Sequence, residues 1–446
     1  MKANKIFLLV LTLGLSLNAC QDQLELKPAQ SIADTQASAN ESNVKAVLIG
    51  AYDAMAEGDL FGGNTLRNAE LQAGDDEILW VGTFFDPREI FNKTMQTANR
   101  DATELWLDGY NAINIANNVL AFLPVVAEKD RKTVEGEAEF IRALVYFELV
   151  RFFGKPYVAG QTNSQLGVPL ITEPTRGIDE KSQVARSTVE QVYAAVIADL
   201  IKAEANLPQT NSWRASSLAA TALLARVYLQ QGDYAKARDA ANKVISSGKF
   251  ALLADYADNF NRDANSSEDI FAVQVTDQDG INNMNTFFSI PDFGARDGDI
   301  EILDGHLNLY PTGDVRKDLF FDGAGAMRTG KWNNQFGNIG LIRLAEMYLI
   351  RAEGNARLNA SVGATPLADY NTIRKRAGLA EATAVTIDQI LLERRLELAH
   401  EGFRIHDLKR TKQAVGKFNY DADKLVFPIP FREIEVNKAL EQNPGY

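Results

Sequence analysis

Apolar residues recur every three to four positions over most of the chain, and the intervals where that rhythm stops are as informative as the runs. Near the start of the patterned region, Val44, Val47, Leu48 and Ala51 fall on one side of a helix over residues 43–56. Trp106, Tyr110, Ile113, Ala116 and Leu120 do the same over residues 104–123, as do Ala138, Ile141, Leu144, Val145, Leu149 and Phe152 over residues 135–153. This spacing predicts two long helices packed as a hairpin, with Trp106 and Tyr110 in the core. Ser187, with Glu190 three residues on, is a candidate cap for a helix through Tyr193, Val196, Ile197, Leu200 and Ile201, which Pro208 closes.

A repeat signal lies in residues 217–249. Leu224, Ala225, Tyr228, Gly232, Tyr234 and Ala237 match tetratricopeptide spacing, with small residues where two helices approach and Gly232 at the turn between them. A second candidate covers residues 341–375, its helices set further apart by Gly363 and Pro366, and residues 104–153 are a third. A lone helical pair leaves an apolar face open, so neighbours must cover it. In the stretch ERRLELAHEGFRIHDLKR, residues 393–410, Leu396, Ala399 and Phe403 join Leu392 on one predicted buried side. Glu393, Glu397 and Glu401 form a ladder that repels itself unless Arg394, Arg395 and Arg404 neutralise it, and Gly402 is expected to relax or end the helix.

Two regions break the rhythm. Residues 62–97 are rich in Gly, Asn and Asp and unusually aromatic, with Trp80, Phe84, Phe85 and Phe91. Residues 255–338 read as a large insertion with one short strand, EDIFAVQV, and many aromatics, among them Phe287, Phe293 and Trp332. Ordered loops of this length usually serve binding.

Charge and cysteine usage narrow the function. The formal charge of −13 repels phosphate backbones, so nucleic acid is not an expected partner. The single cysteine, Cys20, permits no disulfide within a chain, and His306, His400 and His406 make no metal motif, being read as surface or packing residues; no metal or cofactor is expected. Residues 1–19, with Lys2 and Lys5 before an apolar run too short to span a bilayer comfortably, read as an export signal. Leu17, Asn18, Ala19 and Cys20 resemble a lipobox, which makes Cys20 the acylated mature N-terminus, followed by a polar tether to about residue 40.

Taken together, CQDQLELKP, GEAEFIRALVYFELVRFFGKP, TALLARVYLQQGDYAKA, RLAEMYLIRAEGNARL, ERRLELAHEGFRIHDLKR and the terminal PIPFREIEVNKALEQNPGY resemble the SusD/RagB family of nutrient-binding outer-membrane lipoproteins. The resemblance runs in order from Cys20 to Tyr446. It implies an all-α, tetratricopeptide-type helical frame with a large irregular, loop-rich insertion, arranged as a single domain over residues 41–446. Its repeat helices fall at about 104–153, 187–249 and 341–410, and its irregular ligand-binding parts at about 62–97 and 255–338. It also implies a SusC-like TonB-dependent transporter as partner, a lipid-anchored place at the outer-membrane surface, and a glycan ligand, with peptide the alternative found in some members.

Sugar recognition needs flat aromatic faces for pyranose rings and polar groups for their hydroxyls. Trp80 and Trp332 are the candidate platforms, and Arg67, Asp86, Arg296 and Asn333 the candidate polar partners. Two other functions compete. A glycoside hydrolase would need two carboxyl groups flanking a sugar bond, and a ladder on one helix interleaved with arginines is poorly placed for that. A protein-binding scaffold has no need of the aromatic insertion. The sequence therefore points to capture without catalysis.

Overall fold

In the computed structural model, which describes residues 38–177 and 182–446, the first half is built from eight helices. They are α1 Glu41–Ala56, α2 Asn64–Ala73, α3 Phe85–Asn92, α4 Arg100–Ala121, α5 Glu128–Phe153, α6 Val189–Asn206, α7 Ser217–Gln231 and α8 Tyr234–Ser246. The second half adds α9 Asn283–Phe288, α10 Asp304–Leu307, α11 Leu344–Arg357, α12 Pro366–Arg376, α13 Ile387–Glu397, α14 Arg404–Arg410 and α15 Phe431–Val436. Six short strands accompany them: β1 Ile78–Trp80, β2 Asp269–Val273, β3 Ile300–Ile302, β4 Phe320–Gly323, β5 Ala326–Thr329 and β6 Ile339–Arg343. The expected export signal, Cys20 and most of the tether lie outside the described residues.

Neighbours in sequence are neighbours in space. Helix α1 packs on α4, α4 on α5, and so on through α8, which lies against α11, with α12 and α13 on the far side of α11. This is the expected tetratricopeptide-type helical frame. Local chemistry sets its element ends: Asn99, Ser216 and Asp233 each accept a hydrogen bond from the backbone N–H three residues on, and Gly232 turns the chain at φ 75°. Trp106 sits in the core as the period requires, 4.9 Å from Tyr110 and 5.0 Å from Phe153 between ring centroids.

The cap of α6 falls one residue later than expected. Ser187 is held in extended pairing, its N–H to Val168 O at 3.1 Å and its carbonyl to Gly167 N at 2.7 Å, so Thr188 and Gln191 form the capping box. Region 62–97 is also more regular than expected, since it holds α2, β1 and α3. Every residue of α2 is buried, including Asn64, Thr65, Arg67, Asn68, Glu70 and Gln72.

The segment 393–410 differs from expectation in three ways. Helix α13 ends at Glu397, a turn with His400 at φ 61° and Gly402 at φ 84° follows, and α14 starts anew, so Glu401 is not on the same helix as Glu393. Leu392 is exposed while the three glutamates are buried. Their cations come from elsewhere: Arg316 reaches Glu393 at 2.7 Å, Arg343 reaches Glu268 at 2.6 Å, Glu397 at 3.3 Å and Glu401 at 2.8 Å, Lys331 reaches Glu401 at 2.7 Å, and Arg376 also pairs with Glu397. Arg394, expected here, goes to Glu346 and Asp407, and Arg395 and Arg404 go to Glu77. Burial opposes the charge of Glu397, but Arg376, Arg343 and Arg316 outweigh it and hold the carboxyl below its ordinary pKa.

The inserted half is tied to this frame by short antiparallel pairs. β1 pairs with β3, β2 with β6 and β4 with β5. EDIFAVQV does form a strand, and its partner β6 leads directly into α11, where Leu344 N bonds Glu268 O at 3.0 Å. All three histidines are buried packing residues, with the rings of His306 and His400 4.7 Å apart.

Candidate functional site

Most of the residues nominated for ligand binding gather around one short helix, α9. Asn282 caps it by accepting from Asn285 N at 2.7 Å, and Asn283 N donates to Gly62 O at 2.8 Å, pressing α9 against the start of α2. Gly63, at φ 137°, makes that approach possible: a Cβ there would lie 2.6 Å from Met284 N.

From α9, Phe287 projects into a cluster of rings with a guanidinium at each end. The Arg67 guanidinium lies 4.2 Å from its centroid, held by Asn68 Oδ1 at 3.0 and 2.8 Å and by an ion pair with Asp101. Burial lowers the Arg67 pKa against the pull of Asp101, and burial raises Asp101 to about 6. On its other flanks Phe287 meets Trp80 at 5.9 Å and Phe84 at 6.2 Å, and Arg296 then caps Phe84 at 4.2 Å. Arg296 is itself fixed by Asp299 Oδ2 at 2.9 Å and Thr83 Oγ1 at 3.2 Å.

The two nominated tryptophans lie on the buried side of this cluster. Trp80 points inward because β1 alternates, leaving Leu79 outward and Trp80 opposite Ile300; it is 5% exposed. Trp332 is 6% exposed, donates Nε1–H to His400 O at 3.1 Å and accepts from Asn285 Nδ2 at its carbonyl at 2.8 Å. Neither indole offers a free face to a sugar here; both brace the segment above them. Asn333 is half-buried and accepts from Ser289 Oγ at 2.7 Å just after α9. Asp86 caps the neighbouring backbone, accepting from Arg100 N at 2.7 Å.

What is open is the chain just past Trp80. The backbone follows β1 with Val81 N bonded to Asp299 O at 2.9 Å, turns at Gly82, and displays Phe84 at 45% and Phe85 at 74% exposure. Arg88 stands 5.6 Å from the Phe85 centroid and is anchored to Gly82 O at 2.6 Å. Phe293, 39% exposed, lies on the same loop as Arg296 and packs on Phe321 at 5.8 Å. The result is an aromatic rim with two fixed guanidiniums, a surface suited to stacking on apolar ring faces while donating to hydroxyls. Phe84 and Phe85 fall in the aromatic stretch 62–97 but are not among the individual residues the sequence nominates. Their signal is an aromatic doublet, GTFFDP, set among turn residues and outside any apolar period, where no helix or strand face can take both rings.

No group of three or more His, Cys, Asp or Glu side chains is arranged to hold a metal among the described residues, and no helix there is long and apolar enough to cross a membrane.

Comparison with known proteins bears on the whole chain. A family model described as "Starch-binding associating with outer membrane" matches residues 22–229, and the SusD family model matches residues 318–426. SusD-like protein P2 of Formosa agariphila is 28% identical across 100% of both chains. A SusD superfamily protein of Bacteroides thetaiotaomicron superposes with a TM-score of 0.82 at 25% identity, covering 91% of this chain and 100% of that one. A structure titled laminarin-binding SusD-like protein matches at a TM-score of 0.78 and 28% identity, covering 91% of this chain and 100% of its own.

Proposed function

The chain belongs to the SusD family, and from that premise we propose that it captures a glycan at the cell surface and passes it, without chemistry, to a SusC-like TonB-dependent transporter. The observation that carries the reading is the open rim of Phe84, Phe85 and Phe293 with Arg88 and Arg296 at its edges. Rings on this rim stack on pyranose faces, the guanidiniums donate to hydroxyls, and Asp86 and Asn333 supply further polar contacts at its margins. Trp80, Trp332 and Arg67 support it from below. The likeness to a laminarin-binding relative favours sugar over peptide.

Capture without catalysis is supported by the fate of the acids. Glu393, Glu397 and Glu401 are buried and paired with Arg316, Arg343, Arg376 and Lys331, so no two of them can flank a glycosidic bond in solvent. In this reading Cys20 carries the lipid anchor and the helical frame faces the transporter.

The test is calorimetric titration of the full chain in detergent with laminarin, amylose, xylan, mannan and alginate, with mixed casein peptides alongside. Binding of at least one polysaccharide is expected, weakened about tenfold by Phe85→Ala with the melting temperature unchanged, since an exposed stacking ring contributes about 1–1.5 kcal/mol. Binding of peptides alone would overturn the glycan reading, and release of reducing ends during incubation would overturn the absence of catalysis.

A further inference from the structure

Among the four tryptophans, Trp213 stands apart: Trp80, Trp106 and Trp332 are buried, whereas Trp213 is 37% exposed and lines an open groove of about 420 Å3 between α1 and the segment following β2. The Arg214 guanidinium lies 5.3 Å from the centroid of its ring, and the residues around it are fixed. Ser212 before it adopts φ 55°, a left-handed conformation that costs a non-glycine residue about 1–3 kcal/mol. Asn211 donates to the buried carboxylate of Glu137 at 3.2 Å and to Ala215 O at 2.9 Å, and Arg214 reaches Glu137 at 3.5 Å. Tyr52 donates its hydroxyl to Glu137 Oε2 at 2.9 Å, accepts from Ala215 N at 2.9 Å, and packs edge-on against the indole at 5.3 Å. One buried acid thus fastens the residues on both sides of an exposed ring. A connection from α6 to α7 has to turn, but it has no need to fix an indole at the surface.

The groove beside the ring has the chemistry of a sugar site. Its volume falls within the range of about 300–1,000 Å3 typical of ligand clefts. Asp53, Glu57, Gln278 and Asp279 line it with acceptors and amides, and the cation beside the ring, Arg214, is paired with the buried Glu137. Carboxylates there accept from hydroxyls and repel uronate or sulfate groups, so an uncharged polymer is favoured.

We propose that Trp213 and this groove form a second glycan site, distinct from the Phe84–Phe85 rim, that takes neutral hexose units stacked on the indole. The site rests on the reading of the chain as a glycan-capturing protein. It gives the molecule two points of attachment, so a long polymer is held more tightly than a short one.

Because the other three indoles are buried, acrylamide quenching of the tryptophan emission of the full chain reports chiefly on Trp213. The polysaccharides that give calorimetric heat are added and quenching is measured again. A neutral polymer is expected to reduce the quenching by about threefold as the ring is covered. Phe85→Ala keeps this protection at saturating polymer, and Trp213→Ala lowers affinity for long polymers while leaving the heat from the rim. Binding heat with unchanged quenching would overturn the second site and leave the rim reading standing. Equal protection by alginate would overturn the proposed neutral ligand class. Heat from none of the polysaccharides would remove the glycan reading itself, and the second site with it. Protection is measured on the unaltered protein, so the test stands even if Trp213→Ala folds poorly.

Discussion

The buried charge lattice around Arg343 and the rim around Phe84 are made of the same materials, arginines, carboxylates and aromatic rings, and differ in what is left over. In the lattice each guanidinium meets carboxylates, and rings such as Phe260 and Tyr256 close over the cations. Nothing remains for a ligand. At the rim Arg296 spends one edge on Asp299 and Thr83 and lies against a phenyl ring whose neighbour is bare. Composition identifies the kind of interaction and access decides its use: closed, these residues fix a shape, and open, they leave rings and donors free.

The largest effect is expected at Arg343. Arg343→Met leaves Glu268, Glu397 and Glu401 short of a shared counter-ion, and loss of one partner from a buried ion network costs about 3–5 kcal/mol. Denaturant unfolding checks this, and polysaccharide binding should fall only with the folded fraction. A stable variant would show that the lattice is dispensable to the fold.

Next comes Glu70, which lies between the two regions. Burial raises its carboxyl to about 7, while Gly402 N and Phe403 N both donate to its Oε1, at 2.8 and 3.1 Å. Since the folded state holds this proton more tightly than the unfolded chain, stability is present below the ordinary value of 4.5 and is lost as pH rises through about 7. Glu70→Gln keeps the accepting oxygen and removes the titration. Its stability relative to the parent should therefore rise between pH 4 and pH 8, by up to ~3 kcal/mol. Parallel melting curves at the two values test the sign.

Trp332→Phe removes a support beneath the rim. Loss of the bond to His400 O and of packing on Phe260 should cost about 1–2 kcal/mol, with affinity for polysaccharide retained in the folded protein. A selective loss of affinity would return Trp332 to the ligand surface. The smallest effect is expected for Arg296→Lys, which gives up the planar stack on Phe84: binding weakens by a few-fold, and stability moves by less than about 0.5 kcal/mol.

How much of this was legible in the sequence depended on whether the partner of a residue was local. Helices α4, α5, α7 and α8 show an apolar period because they pack on immediate neighbours. Helix α2, NTLRNAELQA, shows none, since it is buried on all sides and satisfies polar side chains from distant segments, as Arg67 does with Asp101 and Glu70 with Gly402. The same blindness affected the glutamates of residues 393–401. The need for arginines was readable from like charges four residues apart, but the pattern offers only neighbours on the same helix, and the arginines that serve, Arg316, Arg343 and Arg376, come from other elements. At the site, Arg67, Trp80, Arg296, Trp332 and Asn333 were found as residue types in irregular stretches. Their gathering around α9, and the exposure of Phe84 rather than Trp80, depend on strand alternation and long-range pairing that no local window carries.

The pairing of β1 with β3 also sets a schedule for manufacture. Glu77, at the edge of β1, bonds His306 across 229 residues of sequence. At about 5–20 residues per second, a nascent chain exposes β1 about 10–45 s before its partner is made. During that interval Glu70 lacks its donors Gly402 N and Phe403 N, Gln72 lacks Lys409, and Trp80 lacks Ile300 opposite it. A chain released before β3 would hold α1 to α8 and lack both the partner of β1 and the helices α11 to α14 that extend the frame.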